Sequence, residues 1–266
     1  MNGKFRKAIL AAALCLVSIA AGAKGGPRAP SKEGPELLPS MGRDALRDLV
    51  QNQCLINWRA HRDPAPCERI VVSGTQSDSP GYAVVKDRES GAHYLFVPLK
   101  SMSGTESAEL LDPDLPNFFA EAWSARDLLS DYVGHPVPRT AVGLALNTAR
   151  ERDQNQFHLH IECLRPDVVE ALRASAAGVT AKWSPLTVVG ATYQAMRIAA
   201  TSLEATNPFE LLAKLNTDAR HHMETYTLLI AGMQYPDGAG FVMLAGTGPT
   251  AQFLLDPGCA VAGGGG

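Results

Sequence analysis

The sequence predicts an α+β protein built on an antiparallel sheet flanked by helices. Apolar runs of strand length are joined by short turns. Stretches with helical apolar spacing interrupt them, and no solenoid period runs through the chain.

The N-terminus carries Lys4, Arg6 and Lys7, then an apolar or small-residue run from Ala8 to Ala20, then Ala21-Gly22-Ala23. This is the layout of a secretory leader. Residues 1–23 are read as a signal peptide or an N-terminal membrane anchor. Removal is favoured, because a full span needs about 20 apolar residues. A retained anchor would need its flanking lysines to snorkel. Gly25 to Pro39 is rich in Gly, Pro, Ser and charge, so residues 24–42 read as a flexible linker. Residues 43–262 form the folded domain, and 263–266 a disordered glycine tail.

Within the domain, Leu46, Leu49, Val50, Cys54, Leu55 and Trp58 recur at helical spacing. Gly81 to Leu99 reads as two strands around a turn at Asp87 to Gly91. A helix is predicted from Phe118 to Leu128, and short strands at Ala141 to Leu146 and Phe157 to Leu164. The polar stretch from Asn147 to Asn155 between them is a loop. Pro166 opens a helix, a position where its missing N–H costs nothing. Further along, Val188 to Ala199 is extended and Pro208 to Leu215 helical, with helix continuing toward His221. Strands at Thr225 to Ala231 and Phe241 to Ala245 are joined through a Pro236-Asp237-Gly238 turn.

The formal net charge is -3 over 266 residues. A global basic field is therefore absent, which argues against a nucleic-acid partner. Cys15 falls within the leader, leaving Cys54, Cys67, Cys163 and Cys259. An even number in an exported protein favours two disulfides. Three pairings are open, of which Cys54 with Cys67 is the most local and leaves Cys163 with Cys259.

The most informative segment is Gln154-Asn155-Gln156-Phe157-His158-Leu159-His160-Ile161-Glu162. Side chains alternate faces along a strand, so Gln156, His158, His160 and Glu162 share one face while Phe157, Leu159 and Ile161 share the other. Three readings follow. The histidines are incidental to a half-exposed strand. Alternatively, they begin a metal site completed by Glu162, His221 or His222. In the third, one imidazole attacks phosphorus while another supports charge.

That segment resembles the histidine-triad signature. A wider ordered set is more specific: Gly104-Thr105-Glu106-Ser107, Pro116-Asn117-Phe118-Phe119, Ala125-Arg126-Asp127, His158-Leu159-His160-Ile161, and Cys163-Leu164-Arg165-Pro166-Asp167-Val168. This order resembles the CDP-diacylglycerol pyrophosphatase family, and the likeness runs from about Leu46 to Leu244. One departure is Gln156, where the triad has its first histidine. A second register, with His158, His160 and Glu162 as first to third, fits the flanking Cys163-Leu164-Arg165-Pro166 less well.

The resemblance implies a histidine-triad-like sheet and hydrolysis of CDP-diacylglycerol by water to CMP and phosphatidate, with no cofactor or metal. It implies His158 as nucleophile and His160 as its phosphate-contacting partner. Gln156, Asn155, Gln154, Asn147 and His222 are candidate phosphate-binding residues; Lys100 and Arg126 are weaker ones. Asn117 and the Phe118-Phe119 pair are read as an entrance for base or lipid, or as core packing. The chain exceeds one minimal triad module, so by analogy its second half is a degenerate copy completing a pseudo-dimer. That half has no second His-x-His and would be catalytically silent. The membrane surface is the expected partner, at the periplasmic face of the inner membrane if anchored, or in the periplasm if cleaved. The rival functions are a metal-dependent exported hydrolase and a non-catalytic periplasmic nucleotide- or lipid-binding protein.

Overall fold

A computed structural model describes residues 42–72, 81–87 and 90–262. The leader, nearly all of the linker and the glycine tail lie outside the described residues. The centre is one antiparallel sheet. Its strands are β1 (Arg69–Val72), β2 (Gly81–Lys86), β3 (His93–Pro98), β4 (Val142–Leu146), β5 (Leu159–Leu164), β6 (Ser184–Val188), β7 (Ala191–Ala199), β8 (Thr227–Tyr235) and β9 (Gly238–Gly246). Their order is β1-β2-β3-β5-β4-β8-β9-β7-β6, and a two-residue strand β10 (Leu255–Asp256) pairs with β5.

The sheet has two unlike faces. Tyr94, Phe96, Leu144, Leu159, Ile161, Ile230 and Met243 point to one side. There they meet α3 (Phe118–Ser124) and α4 (Asp127–Val133), and also α6 (Pro208–Ala213) and α7 (Thr217–His221), in one continuous core. Asn117, Phe118 and Phe119 are part of this packing. Asn117 caps α3 and donates to the carbonyls of Leu203 and Thr206, while both rings are buried.

The opposite face is covered in two separate pieces. Ala83, Val85, Leu95 and Val97 pack under α1 (Ala45–Leu49) and α2 (Leu55–His61), which are joined by a π-helical stretch. Ala145, Leu164, Leu229, Val242 and Leu244 pack under α5 (Pro166–Ser175). His160 pairs in register with Leu95 on one side and Ala145 on the other. Residues directly opposite share a face, so His160 stands between the two apolar clusters.

Several sequence expectations are met and others are refined. The first helix, the two paired strands between Gly81 and Leu99, β4, α5 and the Pro236-Asp237-Gly238 turn are as read, while residues 88–89 of the turn read between those strands lie outside the described residues. The helix predicted from Phe118 to Leu128 is instead two helices, broken at Ala125 and Arg126. Helix does not run on unbroken from Leu215 to His221: Asn216 restarts it, its side chain accepting from Ala219 N. The extended run at Val188 to Ala199 contains a hairpin turn, with Val189 at φ 47° and Gly190 at φ 81°. Strand β1 carried no strong sequence signal.

The disulfides are Cys54–Cys67 and Cys163–Cys259. The first ties the helical layer to the loop before β1. The second ties β5 to the C-terminal segment across 96 residues. Closing so long a loop restrains the unfolded chain strongly, by about 4.7 kcal/mol on the chain-entropy account. The Cys163→Ala/Cys259→Ala variant should therefore lose roughly that much stability in urea melts. The pair Cys54→Ala/Cys67→Ala should lose less, about 3 kcal/mol.

Candidate active site

The site is built where β5 begins. Val97 and Pro98 would be next to pair with the residues ahead of Leu159, but Pro98 has no N–H to offer. The ladder ends there, and β5 starts at Leu159 rather than Phe157. The Gln156 side chain takes over, its amide nitrogen donating to the carbonyls of Pro98 and Lys100, each at 3.1 Å. The N–H of Phe157 goes to the Met102 carbonyl at 2.7 Å. Residues 156–158 are thereby pinned while the alternation of faces persists: Phe157 joins the core with Leu159 and Ile161.

His158 Nδ1 lies 2.8 Å from the Gln156 carbonyl oxygen. A carbonyl only accepts, so Nδ1 carries the proton. In the neutral ring Nε2 then holds a lone pair. Burial pushes the His158 imidazole below its ordinary 6.5, against an upward pull from the Gln156 bond. The ring is therefore neutral at physiological pH. His158 borders a small pocket with Ser103, Gly104, Asn147, Arg152 and Gln156.

His160 is the second member of the cluster, its ring centroid 5.1 Å from that of His158. Its Nδ1 lies 2.8 Å from His93 Nε2, and its Nε2 lies 3.4 Å from the Asn147 amide nitrogen. Asn147 is itself fixed: it donates to Gln252 Oε1 at 2.8 Å and accepts from the Thr250 hydroxyl. The amide thus faces His160 as a donor, so His160 Nε2 accepts and Nδ1–H donates to His93. His93 Nδ1 continues the chain toward the Ser90 hydroxyl at 2.6 Å and the Asp87 carboxylate at 3.2 Å. The buried Lys86 amine donates to the carbonyls of Asp87 and Ser90 and ties those two residues together. Burial, then the neighbouring His158 and His93, keep His160 well below the ordinary imidazole value.

Glu162 completes the face. It is 2 % exposed, and its Oε1 lies 3.2 Å from His93 Nε2 without receiving a well-directed hydrogen bond from any described residue. Burial raises its carboxyl to about 7. His93, His160 and Glu162 bring three ligand atoms within 4.8 Å of one another, a set able to hold a metal ion. His158 is not among them.

The structure gathers His158, His160, Gln156 and Asn147 at one place. Gln154 and Asn155 instead fasten the site loop to the first helix. Gln154 Oε1 accepts from Leu46 N, and Asn155 bonds the side chains of Arg43 and Asp44. His222 stands exposed at a helix end, paired with Glu224 at 3.4 Å. Lys100 pairs weakly with Glu109, and Arg126 lies over the Trp123 ring. Sequence reasoning missed His93, Ser90, Asp87, Thr250, Gln252 and Arg152. Larger cavities lie elsewhere, around Asn117 and Lys214 and around Arg197 and Tyr235, and the described residues lining these include no histidine.

Clustered imidazoles with fixed tautomers, next to a pocket with an arginine on its wall, suit a hydrolase acting on phosphate esters or anhydrides. The chain belongs to the CDP-diacylglycerol pyrophosphatase family, whose model matches residues 41–262. It is accordingly an enzyme that hydrolyses CDP-diacylglycerol with water.

Glu162 gives the site a testable pH signature. Its carboxyl binds a proton up to about pH 7 in the folded state against an ordinary 4.5. The native protein therefore holds more protons than the unfolded chain across that window, and this group makes stability fall as pH rises through it. The lowered His158 and His160 act oppositely below 6.5. Glu162→Gln should remove the downward contribution. In urea melts its stability relative to the parent should improve by about 2 kcal/mol between pH 5 and pH 8. A difference constant with pH contradicts the assignment.

Proposed function

We propose that His158 is the nucleophile of this hydrolase. The observation that carries the reading is the hydrogen bond from its Nδ1 to the Gln156 carbonyl, which leaves a lone pair on Nε2 of a buried, neutral ring beside the pocket. Nε2 forms a bond to the CMP-side phosphorus as the bridging P–O bond breaks, and phosphatidate departs with the electron pair. Water then adds its oxygen to the cytidylyl phosphorus, the N–P bond breaks, and CMP is released. Splitting one displacement into two lowers each barrier.

His160 supports the charge that grows on the phosphoryl oxygens. Its Nδ1–H is hydrogen-bonded to His93, and that ring to Ser90 and Asp87, so the imidazole keeps its orientation when Nε2 gives up the Asn147 amide and takes up a proton. Gln156 serves by position. Its amide is committed to two main-chain carbonyls, while its own carbonyl holds His158. A polar uncharged residue is sufficient for that work at the first triad position.

The sheet order supports a duplicated, triad-like module. Each half comprises an antiparallel pair, two helices and another antiparallel pair. In space the halves read β2-β3-β5-β4 and β6-β7-β9-β8, joined through β4 and β8. The counterpart of β5 is β9, and it places Val242 and Leu244 in the apolar cluster on the face where β5 carries His160 and Glu162. The second half is then catalytically silent.

We assign the enzyme to the periplasmic side of the inner membrane, anchored through residues 1–23 or acting at the membrane surface once they are removed. The leader pattern and two disulfides support an oxidising compartment. A second reading has a specific observation behind it: a metal ion held by His93, His160 and Glu162 would make His160 a ligand. Stoichiometric zinc with loss of turnover on chelation favours it.

His158→Ala should fold as the parent does, judged by its melting temperature, and lose at least about a thousandfold in turnover of CDP-diacylglycerol. Near-parental activity in that variant would falsify the role. Because only neutral His158 attacks, kcat/KM should rise with pH along a limb lying below the ordinary 6.5 and stay level through neutrality. A limb centred above pH 7 contradicts the reading.

A further inference from the structure

We propose that Arg152 is the cation that receives the diphosphate beside His158, and that Glu106 and Gly104 serve to hold it there. The inference rests on the reading of His158 as the reacting group and adds to it a substrate-binding residue.

Arg152 borders the same pocket as His158. Its main chain is fixed from two directions: its N–H donates to the Thr148 carbonyl, and its carbonyl accepts from Arg43 Nη2 at 3.1 Å. Its two terminal nitrogens grip Glu106, Nη1 to Oε2 at 2.6 Å and Nη2 to Oε1 at 2.5 Å. The fork uses two of the five guanidinium N–H groups. Of the three left over, that on Nε is buried and has no partner among the described residues. An orphaned donor on a charged group is costly, and a ligand oxygen brought to this guanidinium would relieve that cost.

The surroundings fit that purpose. Burial works against the Glu106 carboxylate, but the bonds from Arg152 outweigh it and hold the group below its ordinary 4.5. Glu106 is therefore ionised at neutral pH and orients the guanidinium. Gly104 allows the approach, since a Cβ there would collide with Arg152 Nη1. Among the described residues bordering this pocket, Arg152 is the cation available to meet a diphosphate. Guanidinium planes match phosphate oxygens well.

The test compares Arg152→Gln, Arg152→Lys and Glu106→Gln in the full-length protein, with CDP-diacylglycerol in mixed micelles as substrate. Inorganic pyrophosphate is the inhibitor probe. Arg152→Gln should raise both KM and the pyrophosphate inhibition constant about ten- to a hundredfold. Arg152→Lys keeps the charge without the Nε–H and should recover part of that loss. Glu106→Gln, which leaves the cation in place, should cost at least about fivefold less than Arg152→Gln. An unchanged pyrophosphate constant in Arg152→Gln overturns the proposal. So does an equal loss in Glu106→Gln, which would make the pair structural. If Arg152→Gln does not fold, a parental pyrophosphate constant in Arg152→Lys overturns it equally. Failure of the nucleophile reading is separable: pyrophosphate binding to His158→Ala, measured by calorimetry, should persist whichever group attacks.

Discussion

One hydrogen bond, from His158 Nδ1 to the main-chain oxygen of Gln156, decides which nitrogen of that ring is free. Everything around it serves to keep the Gln156 carbonyl where it is. Pro98 stops the β3–β5 ladder, the Gln156 amide caps two carbonyls of the neighbouring segment, and Phe157 anchors in the core. A histidine further along a regular ladder would face a carbonyl already engaged with its partner strand. By sitting just ahead of the strand, His158 gains an acceptor two residues back and a pocket in front.

The second constraint is the division of the sheet's outer face. Helices α1 and α2 cover one end and α5 the other, and the strip between them is where His93, His160 and Glu162 stand. Burying three titratable groups side by side is unfavourable for their charged forms. Here all the shifts that are resolved point to neutrality: His158 and His160 downward, Glu162 upward. Neutral imidazoles at His158 and His160 suit a site that must accept charge from its substrate. Their neutrality also explains the value of anchoring from outside the strip, by Lys86 at one end and by Thr250 and Gln252 at the other.

Much of this was legible in the sequence for identifiable reasons. Alternation from Gln156 to Glu162 assigned the faces of β5 correctly, because burial on one side leaves little freedom of register. Even cysteine number and proximity favoured the disulfides observed. The missed features are those that depend on partners distant in sequence. His93 sits in an apolar hairpin strand, and only its register opposite Glu162 brings it to the cluster. Arg152 lay in a loop read as merely polar, with Glu106 46 residues away. The turn at Val189 and Gly190 was hidden because a β-branched residue rarely takes positive φ, so it carried no turn signal.

A covalent nucleotide on His158 leaves its mark on the stereochemistry at phosphorus, which tests for it most directly. CDP-diacylglycerol made chiral at the cytidylyl phosphorus with sulfur would be hydrolysed in heavy-oxygen water and the CMP thio-analogue configuration determined. Two successive in-line displacements predict overall retention. Inversion would mean that water attacks phosphorus directly and that His158 never bonds to it.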